Sequence, residues 1–152
     1  MPTTTLVTGP PCAGKSTWVD QHADPSDLVI CHDTFARAAG STAQWDHTRA
    51  HNLRAGEMWR AAIARLAAGP PARDTWVIRC ASTAAERDYI ARRIHAERVI
   101  VLVPPRALTL ARAQTANRGR QVQQAIRRWY AGHGINAGDE VIDTSVSRLP
   151  AW

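Results

Sequence analysis

The nine residues Gly9-Pro10-Pro11-Cys12-Ala13-Gly14-Lys15-Ser16-Thr17 contain the spacing Gly-x-x-x-x-Gly-Lys-Ser, and Lys15 is the only lysine among 152 residues. The chemistry open to such a stretch is the binding of a nucleotide's phosphates. In a tight Gly-containing loop that opens a helix, backbone N–H groups and the positive helix end converge on an anion. At this spacing Lys15 bridges the β- and γ-phosphates and the Ser16 hydroxyl ligates Mg²⁺. Gly9, Cys12, Ala13, Gly14, Lys15, Ser16 and Thr17 are therefore expected to bind nucleotide, with Lys15 catalytic as well and Ser16 on the metal. ATP or GTP and Mg²⁺ are the implied cofactors. Cys12 reads as a small filler of the loop rather than a reactive thiol.

A phosphate cradle establishes binding and leaves the reaction open. Asp33 follows the apolar run Asp27-Leu28-Val29-Ile30-Cys31, so it falls at the C-terminal edge of a strand, where open α/β sheets carry their ligand crevice. A carboxylate there can take the proton of an acceptor hydroxyl during phosphoryl transfer. It suits the N-cap of a following helical turn equally well. His32 reads as a neighbouring loop residue.

Arginine supplies the third element. Between Arg98 and Gly138 there is no carboxylate, while Arg98, Arg106, Arg112, Arg118, Arg120, Arg127 and Arg128 all fall there. Such a segment attracts polyanions, whether nucleotide phosphates or a nucleic-acid backbone. Arg112, Arg118 and Arg120 flank a break between two helices, and a guanidinium meets the charge of a transferring phosphoryl group with paired donors. A mobile lid over about 112–121 is expected, with Arg112 and Arg118 on the nucleotide, Arg118 catalytic and Arg120 on substrate. Arg127 and Arg128 read as surface or substrate-backbone contacts. Most of the six tryptophans (Trp18, Trp45, Trp59, Trp76, Trp129, Trp152) are expected to pack helices against the sheet. Trp45 is the candidate for an exposed ring that stacks on substrate.

The elements that must position these groups alternate between strand-like and helix-like, which argues a parallel α/β sheet. Strands are expected over 3–8, 27–31, 75–80, 98–103 and 140–144. Helices are expected over 15–23, 45–68, 107–115 and 121–131, another capped by Ser82 or Thr83 and running to about 96, and one helical turn over 34–39. Val99-Ile100-Val101-Leu102-Val103 is a continuous apolar run, as a strand covered on both faces requires. Gly69-Pro70-Pro71 stops the long helix, and Glu86, three residues after Thr83, suits a capping box. The length fits one domain over 1–152. No run of about 18 apolar residues suggests a membrane span, and the first strand begins too early to leave room for a signal peptide. Three cysteines, odd in number and without metal-ligand spacing, fit reduced thiols, no structural metal and a cytoplasmic protein. Oligomeric state is not legible.

Taken together, these segments resemble the small P-loop kinases of the polynucleotide kinase and zeta-toxin-like group, particularly phage polynucleotide 5′-kinases. The resemblance rests on Gly9 to Trp18, on Cys31-His32-Asp33-Thr34-Phe35 and on Ala81-Ser82-Thr83-Ala84-Ala85-Glu86-Arg87. It also rests on Leu110-Ala111-Arg112 through Asn117-Arg118-Gly119, followed by Val122 to Tyr130. It implies a three-layer P-loop NTPase fold, with a mostly parallel five-stranded sheet flanked by helices and a short Arg-rich lid. By that likeness Asp33 activates the acceptor hydroxyl and Arg118 contacts the transferring phosphate. Where that group often has an arginine soon after the aspartate, this chain has Ala36 and then Arg37, the candidate for holding substrate phosphate. Where an acid often ends the third strand, Arg79-Cys80-Ala81 stands instead, leaving metal support to water or to Asp33 through a water. Asp143-Thr144 borders the purine by the same analogy.

The expected reaction is ATP-dependent transfer of the γ-phosphoryl group to a hydroxyl on nucleic acid, either a 5′-OH end or a hydroxymethyl on a modified base. A small-molecule kinase acting on a nucleoside, sugar or antibiotic hydroxyl is the first alternative. A nucleotide-binding switch or ATPase that phosphorylates nothing is the second.

Overall fold

A computed structural model describes residues 1–144 of the chain. Five strands, β1 (Thr4–Thr8), β2 (Leu28–Ile30), β3 (Thr75–Arg79), β4 (Arg98–Leu102) and β5 (Asp139–Ile142), form one sheet in the order β2-β3-β1-β4-β5. All neighbours are parallel. Six helices lie between them: α1 (Lys15–His22), α2 (His32–Ala38), α3 (Arg49–Ala68), α4 (Ala84–Arg93), α5 (Arg106–Thr115) and α6 (Arg120–Gly132). The α/β class, the five parallel strands and the flanking helices agree with the expectation from sequence. No described helix is long and apolar enough to cross a membrane.

β1 is central and buried along its whole length. Its register sets the two faces: Leu6 lies beside Val77, and Val7 beside both Ile78 and Ile100. Because side chains alternate across a strand, the Leu6 face packs with Ile30, Val77 and the α3 residues Ala62, Ile63 and Leu66. On the opposite face Val7, Ile78, Ile100 and Leu102 pack with Trp18 and Val19 of α1. Helices thus cover both faces, and three layers result. Trp18, Trp76 and Trp129 are buried, as packing tryptophans should be. The polar tip of Trp76 donates from Nε1 to Asp27 Oδ2 at 2.8 Å, and that of Trp129 to the Cys80 carbonyl at 2.9 Å. The Trp129 bond ties α6 to the C-terminal end of β3. Trp152 lies outside the described residues.

Most boundaries fall within a residue of expectation, and the larger differences are these. The long helix begins at Arg49, not near 45, because Thr48 caps it by accepting from the His51 N–H at 3.2 Å. Residues before Thr48 are thereby released into a loop. α2 begins at His32 rather than 34, so His32 and Asp33 lie in its first turn and not in the loop before it. α4 stops at Arg93, short of 96, where His95 takes a positive φ of 53°. β5 covers Asp139–Ile142, so Asp143 and Thr144 follow the strand instead of ending it.

One buried ion pair locks the far side of the sheet. Arg87, on α4, has no solvent exposure. Its Nη2 lies 3.1 Å from Asp139 Oδ2, and it donates to the carbonyls of Ala81, His133 and Gly134. Every arm of the guanidinium is satisfied, which a buried cation requires. Near it, the Tyr130 hydroxyl donates to the Pro104 carbonyl. Burial raises the Tyr130 pKa above its usual value, against smaller opposing effects of Thr109 and Arg112, so the phenol stays neutral and keeps donating. Removing Arg87 strands a buried Asp139. Arg87→Met should therefore lower stability by about 3–5 kcal/mol, while loss of the exposed Arg54–Glu57 pair should lower it by less than about 1 kcal/mol. Urea midpoints of the two variants measure this, and equal shifts would remove Arg87 as a structural anchor.

Candidate active site

A parallel sheet brings the C-terminal ends of its strands to one edge, and the candidate residues meet there. Gly9 leaves β1 with φ 155°, and a Cβ on it would lie 2.8 Å from the Leu102 carbonyl oxygen. Only a glycine lets the loop lie this close to β4. Gly14 opens α1 in the left-handed region at φ 86°, again a glycine conformation. Cys12 adopts φ 63° without being glycine. Its main chain and thiol are both engaged: Arg112 Nη1 donates to the Cys12 carbonyl at 3.2 Å, and Arg118 Nη1 approaches Cys12 Sγ at 3.7 Å.

The Lys15 ammonium turns back over the loop, donating to the carbonyls of Gly9 at 3.0 Å and Pro10 at 2.7 Å, with Cys80 Sγ at 3.6 Å. Residues Cys12 to Thr17 line a cleft of about 620 Å³, and Asp33, Arg37, Trp45, Arg112 and Arg118 line the same cleft. Gly9 lies behind that lining, as the support of the loop. Arg120 does not reach it. It opens α6 as an exposed residue, so the expected substrate role has no geometric basis at this cleft. Arg118 Nε is buried and finds no partner among the described residues. A buried, unpaired donor beside a phosphate loop is a ready contact for a phosphate oxygen.

Asp33 is not an N-cap. Cys31 holds that position in α2, and Asp33 sits one residue inside the helix. Its Oδ1 instead lies 2.7 Å from His47 Nε2, while the carboxyl is 43% exposed to the cleft. His32 bonds Asn52 Oδ1 through Nε2 at 3.0 Å. Arg37 Nη1 donates to the Gln44 carbonyl at 3.1 Å, fixing the loop over 41–48. Trp45, expected to stand exposed, is half-buried, and the Arg118 guanidinium lies 5.2 Å from its ring centroid. That geometry is a cation–π contact, so one ring face is already covered.

Magnesium takes oxygen ligands and keeps several waters. The Ser16 hydroxyl in the first turn of α1 and the half-exposed Asp33 carboxyl are donors of that type on one cleft. No group of three or more His, Cys, Asp or Glu side chains that could enclose a metal exists among the described residues. The residues fit a metal shared with phosphate and water rather than a protein cage. At the end of β3, Arg79 also lines the cleft, and its guanidinium lies over Trp59, 4.9 Å from the ring centroid. Glu86 lines the cleft beside it, with Oε2 accepting from the Ser82 N–H at 2.9 Å.

Sequence reasoning missed His47, Ser41 and the cleft-lining acids Asp20 and Glu86. A helix over 45–68 would contain His47, whereas α3 starts at Arg49. Recognising Thr48 as the cap would have moved it into the loop, although nothing in residue type marks it as buried.

The phosphate loop, the acid beside it and the converging arginines define a P-loop nucleotide-binding domain of the kinase-like kind. Residues 5–145 match the family described as AAA domain, and the chain belongs to that family. Solved structures with this fold include a gluconokinase from Sinorhizobium meliloti 1021, 15% identical, covering 97% of this chain and 85% of that one, with TM-score 0.63. A sugar kinase from Janibacter sp. HTCC2649 is 15% identical, covering 94% and 86%, with TM-score 0.58. The tunicamycin resistance protein of Deinococcus radiodurans is 14% identical, covering 96% and 88%, with TM-score 0.57. No curated protein sequence matches the chain. The polynucleotide-kinase subgroup suggested by the motifs is narrower than what these likenesses establish.

The Lys15 ammonium, held over the loop by the Gly9 and Pro10 carbonyls, can exchange such contacts for stronger, charge-assisted bonds to phosphate oxygens. Lys15→Ala should weaken binding of Mg-ATP by about 10- to 150-fold, the loss of about 1.5–3 kcal/mol expected for a hydrogen bond to a charged group. Calorimetric titration measures it. Unchanged affinity would remove the loop as the triphosphate site.

Proposed function

We propose that this chain is a kinase that transfers the γ-phosphoryl group of Mg-ATP to a hydroxyl of a small-molecule acceptor. The observation that carries the reading is the sharing of one cleft by Lys15, Ser16, Asp33 and Arg118. In the proposed reaction the acceptor hydroxyl loses its proton to Asp33 as its oxygen bonds the γ-phosphorus. The bond from that phosphorus to the β–γ bridging oxygen breaks, and ADP leaves. Lys15 and Arg118 meet the charge on the phosphoryl oxygens; Ser16 would hold the Mg²⁺ of the nucleotide, which would supply further charge neutralisation.

Three considerations support a small acceptor over nucleic acid. The cleft volume suits a nucleotide's phosphates and a compact second substrate. The carboxylate-free segment does not converge on the cleft: Arg112 and Arg118 line it, while Arg106, Arg120, Arg127 and Arg128 are exposed elsewhere. Arg98, from the same segment, is neutralised by Glu140 at 3.0 Å. Two of the structurally similar proteins are, by name, a sugar kinase and a gluconokinase. A nucleic-acid acceptor is the second reading, favoured by those same exposed arginines, which form no ion pair among the described residues.

Incubation with γ-labelled ATP and a panel of sugars, sugar acids, nucleosides, 5′-OH oligonucleotides and hydroxymethylated DNA separates the readings. Label in a low-molecular-weight acceptor is the expected result. Label in an oligonucleotide alone would transfer the assignment to nucleic acid, and phosphate release with no labelled acceptor would make the chain an ATPase or switch. Asp33→Asn should lower transfer by about 10²–10⁴-fold, the range of general-base catalysis, with ATP affinity held within about twofold. Full transfer by that variant would eliminate Asp33 as the base.

A further inference from the structure

We propose that His47 is the residue that positions Asp33 for proton abstraction, acting through a relay of hydrogen bonds that begins at Ser41. The inference rests on Asp33 being the base, as argued above. His47 belongs to the loop over 41–48 and lies outside both the phosphate loop and the lid. Its side chain is 1% exposed. An imidazole taken out of water needs partners at both nitrogens, and His47 has them. Nδ1 lies 2.7 Å from Ser41 Oγ, and Nε2 lies 2.7 Å from Asp33 Oδ1.

The direction of these bonds follows from the neighbours. The Ser41 oxygen already accepts from the Ala43 N–H at 3.3 Å, which leaves its own proton to donate. The ionised Asp33 carboxylate can only accept. The arrangement that satisfies both ends is a neutral imidazole protonated at Nε2, accepting from the Ser41 hydroxyl at Nδ1 and donating to Asp33. The backbone that carries the ring is also held, since Asn52 Nδ2 donates to the His47 carbonyl at 3.2 Å while Asn52 Oδ1 meets His32.

The consequence for the carboxyl is specific. One oxygen of Asp33 is pinned, rotation about its terminal bond is stopped, and Oδ2 is left as the acceptor for the incoming proton. His47 keeps its own proton throughout, while the acceptor's proton moves to Oδ2 and the new O–P bond forms. His47 touches neither substrate nor nucleotide. It acts only through Asp33.

Phosphate release from Mg-ATP, with water as the acceptor hydroxyl, gives a readout that needs no identified substrate. His47→Ala should lower kcat by about 10- to 100-fold, the scale of misplacing a catalytic group, with KM for Mg-ATP unchanged within about twofold. His47→Gln, whose amide can still donate to Asp33, should recover most of that loss. In the Asp33→Asn background His47→Ala should have no further effect, because residues acting as a unit are not additive. Nitrogen-15 spectra of the wild-type imidazole should show the proton on Nε2, a reading that survives even if His47→Ala does not fold. A Nδ1-protonated ring overturns the relay, as does a full additional loss from His47→Ala in the Asp33→Asn background. Loss in Asp33→Asn with none in His47→Ala overturns the positioning role alone. Unchanged turnover in Asp33→Asn overturns the base itself and the proposal built on it.

Discussion

The absence of a single methylene-sized volume governs this site. The phosphate loop can reach its position only because Gly9 carries no Cβ where the Leu102 carbonyl of the neighbouring strand would meet it at 2.8 Å. From that contact the loop climbs over the edge of the sheet and turns through the left-handed Gly14 into α1. The helix then presents its N–H groups toward the loop. β1 and β4 are held parallel, with Val7 beside Ile100, so the distance between loop and strand is set by the sheet itself. A rigid sheet gives the cleft a fixed floor, and the more irregular segments form its walls.

Those walls come from two places far apart in the chain. The last turn of α5 contributes Arg112 and the segment between α5 and α6 contributes Arg118, and both close on Cys12. The loop over 41–48 contributes Trp45, which faces Arg118, and His47, which faces Asp33. The Gln44 carbonyl in that loop receives Arg37 from α2. The acidic and the cationic sides of the cleft therefore meet in one loop, although no charged residue of that loop does the work. The Arg118 guanidinium, drawn toward an aromatic ring and a thiol, is held by weak, polarizable contacts. A phosphate can displace such contacts more readily than it could displace a carboxylate.

Much of this was legible in the residues. The spacing from Gly9 to Ser16 located the cradle, since that pattern owes its meaning to backbone geometry that few other sequences satisfy. The apolar run of β4 announced a strand covered on both faces, and alternating segments announced the parallel sheet. Their place beside a helix break set Arg112, Arg118 and Arg120 apart from Arg127 and Arg128. It could not separate Arg120 from the other two, and only the fold shows Arg120 turned away from the cleft. Asp33 could not be told from a helix cap until the backbone showed Cys31 in that role. His47 and Ser41 were invisible because burial of a polar side chain depends on what surrounds it, and a loop sequence carries no periodicity that reveals its inner side.

The seating of His47 and Trp45 two residues apart constrains how this chain can vary. Inserting or deleting one residue between Ser41 and Thr48 would shift the imidazole and the indole together, releasing the Asp33 carboxyl and unseating the arginine in the same event. Substitutions there can be absorbed one at a time, but changes of length cannot. The span of this loop, more than its composition, is the property that homologous chains with the same chemistry would have to share.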